Sequence, residues 1–111
     1  MLKLTSEIKV AINLINLLTY ENKSIISLSE EIGISYTYLK TVTLRLSKGN
    51  IIASEKGKGG GVKLLIPNPT LFDLATAFYS EIPVFDESIP DQRINSVYVE
   101  CLKFINIRKS V

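Results

Sequence analysis

Ile51-Ile52-Ala53-Ser54-Glu55-Lys56-Gly57-Lys58-Gly59-Gly60-Gly61-Val62-Lys63-Leu64-Leu65-Ile66 sets two short aliphatic runs on either side of a basic glycine turn. Four of the chain's six glycines fall in residues 57–61, and glycine clusters where other side chains do not fit. Nucleotide-binding loops are also glycine-rich. The phosphate-binding loop, however, requires Gly-Lys-Ser/Thr opening a helix, and here Val62 follows Gly61. The dinucleotide fingerprint fits Gly57 and Gly59 but needs a third glycine where Val62 stands, with a helix rather than a strand behind it. What remains is a β-hairpin whose turn presses bare backbone and lysine charge toward something anionic, or a hairpin turn with no partner at all.

The sequence in front of the hairpin points to the partner. Ser35 reads as an N-cap and Tyr36 to about Lys48 as a helix, with Leu39, Val42 and Leu46 on its packed face at spacings of three and four. Tyr36, Thr37, Lys40, Thr41 and Leu44 form the opposite face, and Gly49-Asn50 ends the helix. Upstream, Ser27-Leu28-Ser29-Glu30 has the pattern of a capping box, opening a short helix that stops at Gly33; Ile25-Ile26 is expected as an extended pair before it. Ser6 to Thr19 carries a broad apolar face for a first helix. Two short helices around a glycine turn, followed by a hairpin, make a winged helix-turn-helix. The fold class expected is mainly α with a small β-hairpin (α+β), the winged domain spanning 1–80 and a linker with a C-terminal dimerisation helix spanning 81–111.

Composition agrees. The 111 residues suffice for one domain with a real core, and the net charge of +2 hides an asymmetry. Residues 1–66 hold nine Lys/Arg against five acids, whereas residues 67–111 hold four against six. Between Ser35 and Lys63 stand six cations and the single acid Glu55. Such a local field is the footprint of a nucleic-acid surface, although lysines on a solvated face produce the same count. With no histidine and one cysteine, the chain has neither a His base nor a Cys/His zinc site of its own, and its acids form no paired motif. An enzyme is not expected, nor a cofactor. Asn13 and Asn16 interrupt the longest apolar stretch, so no membrane span is expected, and a cytoplasmic, nucleoid-associated protein is the expectation.

Ile34-Ser35-Tyr36-Thr37-Tyr38-Leu39, then Leu46, Lys48, Ile51-Ile52, Ser54, Gly57 and Gly59-Gly60-Gly61-Val62-Lys63-Leu64 resemble, without a gap, the Rrf-two (Rrf2) family of bacterial winged-helix regulators. Leu4-Thr5, Val10-Ala11 and Thr70-Leu71-Phe72-Asp73-Leu74 also fall where that family has matching features, so the resemblance covers about residues 1–80. It implies a transcriptional repressor that binds double-stranded DNA as a homodimer on a palindromic operator. Tyr36, Thr37, Lys40 and Thr41 would meet base edges in the major groove, Arg45 and Lys48 would touch phosphates, and Lys3 and Lys9 would do so by analogy. Tyr38 is open to either packing or a phosphate contact. Gly59, Gly60 and Gly61 would lie against the minor groove, with Lys56, Lys58 and Lys63 supplying charge.

Two departures from the family stand out. The best-known members ligate an iron–sulfur cluster through three cysteines after the post-wing helix, and residues 81–88 here contain none. Lys40 stands where Glu is common, which changes the groove chemistry from accepting to donating. Beyond Pro90, Ile94, Val97, Tyr98, Cys101, Leu102 and Ile105 form an apolar stripe over Asp91 to about Arg108, the expected homodimer seam. On that stripe Cys101 reads as a small buried hydrophobe. The rival reading is a winged-helix protein-interaction module that has lost DNA binding. The sequence does not identify an effector ligand or partner protein.

Overall fold

The computed structural model describes residues 3–55, 61–79, 88 and 92–108. Its elements run α1 (Ser6–Leu17), β1 (Lys23–Ser24), α2 (Ile25–Ile32), α3 (Tyr36–Lys48), β2 (Ile52–Glu55), β3 (Gly61–Leu64), α4 (Leu71–Phe78) and α5 (Gln92–Leu102). Helix α1 starts because Thr5 is extended and its hydroxyl accepts from the Ile8 amide, with Glu7 in the positive first turn. Its buried face is Ile8, Ala11, Leu14 and Ile15. These meet Leu39, Val42 and Leu46 of α3, Ile51, Ile52, Val62 and Leu64 of the sheet region, and Leu74 of α4 in one core. Each such aliphatic side chain stabilises the fold by roughly 1.5–3 kcal/mol through burial.

The second helix begins earlier than the capping-box pattern implies. Ser24, not Ser27, is the N-cap: it is extended, and its Oγ accepts from the Ser27 amide at 3.4 Å. The reason is tertiary. Lys23 and Ser24 pair with Val62 and Gly61 as a third, antiparallel strand, so the chain must leave the sheet at Ser24 and Ile25-Ile26 turn helical. The expected hairpin is thus a three-stranded sheet in the order β1-β3-β2, with β3 in the middle. Gly33 ends α2 in the left-handed region at φ 84°, its amide donating to the Ser29 carbonyl.

Helix α3 has the bounds expected, capped by Ser35, whose side chain accepts from the Tyr38 amide. It packs against α1, α2, α4 and β2, leaving one face to solvent. The turn that follows divides two tasks between Gly49 and Asn50. Asn50 takes the left-handed conformation at φ 60°, which asparagine tolerates better than most residues. Gly49 instead lets α4 approach, since a Cβ there would stand 2.8 Å from the Ala77 Cβ. Asn50→Ala is therefore expected to cost about 1–2 kcal/mol of stability, and Asn50→Gly to keep or raise it, as read from urea unfolding midpoints.

Helix α4 is set by a reciprocal capping box. Thr70 Oγ1 accepts from the Asp73 amide at 3.2 Å while Asp73 Oδ2 accepts from the Thr70 amide at 2.8 Å. The C-terminal helix is shorter than the expected 18-residue seam, stopping at Leu102. Beyond it the chain turns at Lys103 and Phe104 and returns to its own domain. The Leu71 amide donates to the Ile105 carbonyl and the Ile107 amide to the Pro69 carbonyl, with a bridge between Thr70 and Asn106. Asn16 Nδ2 donates to the Ile107 carbonyl at 3.1 Å, and Arg108 Nη1 to the Pro67 carbonyl at 2.8 Å. Among the described residues, no helix is long and apolar enough to cross a membrane.

Candidate nucleic-acid interface

The free face of α3 follows from its periodicity. Leu39, Val42, Thr43 and Leu46 are buried, and at 100° per residue the direction opposite their mean passes within about 30° of Thr37, Thr41, Leu44 and Lys48. Lys40 and Arg45 flank this strip on either side. All six are exposed, and α3 contains no acidic residue. The flank beyond Lys40 ends at Tyr36, whose ring lies 5.8 Å from the Lys40 Nζ.

The flanking cations differ in what holds them. Arg45 is engaged within the domain: Nε lies 3.7 Å from Glu7 Oε2, and Nη1 donates to the Phe78 carbonyl at 3.4 Å. The guanidinium also stands 5.7 Å from the Phe78 ring. It therefore fastens α3 to α1 and α4, with part of its donor fork left for a phosphate. Lys63, on β3, pairs with Glu55 on β2 at 3.4 Å; this exposed pair adds little stability and is readily exchanged. Lys3, Lys9 and Lys48 are exposed. Tyr38 is half-buried and, with Ser6, Val10, Ile34 and Ser35, lines a shallow apolar groove beside the α3 N-terminus. It packs, partly buried, against the core.

Gly61 corrects the sequence reading. It is buried at the start of β3, and a Cβ built there would fall on the Lys23 carbonyl, 2.6 Å from its carbon. The missing side chain admits strand β1, not a DNA groove. Lys56, Lys58, Gly59 and Gly60 lie outside the described residues, as does most of the cysteine-free stretch 81–88.

The stripe on α5 also divides. Ile94, Val97 and Cys101 are exposed, as are Phe104 and Ile105 beyond the helix end. On the other side Asn95 and Leu102 are buried, with Tyr98 half-buried between them. Leu102 serves the chain's own core, because α5 packs on α4 and Lys103 Nζ sits 5.0 Å from the Phe72 ring. Within the single chain, then, Leu102 is buried and Cys101 exposed, on the side of α5 that also carries Ile94 and Val97. Ile105 belongs to the returning segment rather than to a continuous helix.

Helix-turn-helix, three-stranded wing sheet and acid-free exposed helix together define a winged helix-turn-helix protein. Over residues 4–100 the sequence matches the profile of Rrf2, described as an iron-dependent transcriptional regulator, and the chain belongs to that family of transcription regulators. Among solved structures it is similar to CymR (YrzC), the global cysteine regulator of B. subtilis, with 21% identity and a TM-score of 0.69 over 96% of this chain and 94% of that one. A putative transcriptional regulator from Listeria innocua gives 20% identity and a TM-score of 0.71 over 95% and 83% of the two chains. T. potens IscR gives 21% and 0.65 over 96% and 83%. No curated protein matches the sequence significantly.

The donor set does not fit the iron chemistry in the family's description, so far as that rests on cysteine-held clusters. Such clusters take several thiolates, and the chain has one cysteine and no histidine. Cys101 stands exposed on α5, and no three His, Cys, Asp or Glu residues cluster to hold a metal among the described residues.

Proposed function

We propose that this chain is a sequence-specific DNA-binding transcriptional regulator, a cytoplasmic repressor acting as a homodimer on a palindromic operator. The observation that carries this reading is the free face of α3, an acid-free helix surface about one major groove wide with Lys40 and Lys48 exposed on it. In this reading α3 enters the major groove, where all four base pairs are distinguishable. Lys3, Lys9 and Lys48 meet phosphates, and Lys63 does so by exchanging Glu55 for a phosphate oxygen. The wing turn, with Lys56, Lys58, Gly59 and Gly60, lies along the minor groove. The α5 stripe Ile94, Val97 and Cys101, extended by Phe104, pairs with its copy across a two-fold axis, which sets the half-site separation.

A retardation assay on chromosomal DNA fragments at several salt concentrations tests the reading, and failure to retard any fragment at low salt refutes it. Within that assay, Lys48→Ala is expected to weaken operator and scrambled DNA alike and to lower the log–log salt slope by about one per chain. If Lys48→Ala changes base preference and leaves the slope intact, the phosphate role is wrong.

A further inference from the structure

We infer that Leu44 is a specificity-determining residue that packs on the 5-methyl group of a thymine in each operator half-site; the inference rests on the DNA-binding reading above. Leu44 is 56% exposed in the third turn of α3. It lies within about 30° of the centre of the solvent face, whereas Lys40 stands about 70° to one side. Among the described residues Leu44 is not part of the core, and the helix is otherwise polar on that side.

The neighbours narrow what could cover it. Thr41 spends its hydroxyl proton on the Thr37 carbonyl at 3.1 Å, so it offers a partner a methyl group and an acceptor but no donor. Leu44 is therefore the one large apolar group on a strip shared with Thr37 and Thr41, with Lys40 on one side and Lys48 at its end. An apolar protein surface would find these cations unpaired and costly to bury. A major groove gives the cations phosphates or guanine edges at its sides, and the apolar groups that groove exposes at its floor are thymine methyls. Lysine on the flank then anchors and orients, while the leucine discriminates A·T from G·C.

The test uses the full chain and an operator selected from a random duplex library, replacing each thymine in turn by deoxyuridine, which lacks only the methyl group. One thymine per half-site is expected at which the wild type loses about fourfold in affinity, the effect of one buried methyl-sized group. Leu44→Ala should bind the unmodified operator more weakly by at least that factor and be indifferent to the same deoxyuridine, so the two changes are not additive. Leu44→Met, which keeps an apolar reach, should restore the sensitivity. If every thymine tolerates the replacement, or if Leu44→Ala loses as much as the wild type at the sensitive position, the inference is overturned with DNA binding intact. If the library yields no preferred sequence, the inference falls together with the proposed function.

Discussion

Replacing Gly61 by alanine is expected to destabilise the protein by about 3 kcal/mol or more, at the upper end of what overpacking costs. The added Cβ would collide with backbone, the Lys23 carbonyl, and backbone cannot swing aside as a side-chain tip can. Strand β1 would have to leave β3, and two further features depend on its position. Lys23 Nζ donates to the Leu17 carbonyl at 2.8 Å, closing the end of α1, and Ser24 caps α2. One methyl group therefore loosens the sheet, the end of α1 and the start of α2 together. Calorimetry should show a melting temperature lower by roughly 10 °C or more. A variant within 2 °C of wild type would mean that β1 contributes little to the fold.

Val97→Lys is expected to abolish dimers at micromolar concentration and to weaken operator binding by about a hundredfold or more, the usual gain from engaging two linked half-sites. Val97 is 62% exposed, with Ile94 and Cys101 on the same side of α5. Its replacement therefore leaves the buried core untouched, and the folded monomer should melt near the wild-type temperature. Sedimentation velocity reads the association state and retardation reads the affinity. A Val97→Lys protein that remains dimeric would place the interface elsewhere, while Leu102→Lys would differ in kind, unfolding the chain because Leu102 is buried within it.

What the sequence made legible followed from local rules. Ser35 capping α3, the 3.6-residue period of Leu39, Val42 and Leu46, and the left-handed Gly33 are short-range effects, and each stands where the pattern implied. The misreadings are long-range. Ser24 and Ser27 are both plausible caps within five residues, and the choice is made by Val62 and Gly61, 37 or more residues away. Gly61 looked like one more residue of a flexible turn because its neighbours are glycines; only the path of β1 distinguishes it. Beyond Pro90, the apolar stripe of Ile94, Val97, Tyr98, Cys101, Leu102 and Ile105 cannot say which side faces the chain's own α4. Asn16 did carry a signal: a polar residue within the apolar stretch of α1 marks where a distant backbone carbonyl, that of Ile107, is met.

The bond from Asn16 to Ile107 joins groups 91 residues apart. At the usual pace of translation, about 5–20 residues per second, the second partner is made roughly 5–20 s after the first. During that interval Asn16 can make its bond to the Ile12 carbonyl within α1, but not the one to Ile107. One side of the first helix is thus closed late in synthesis, by an acceptor that follows its donor by 91 residues.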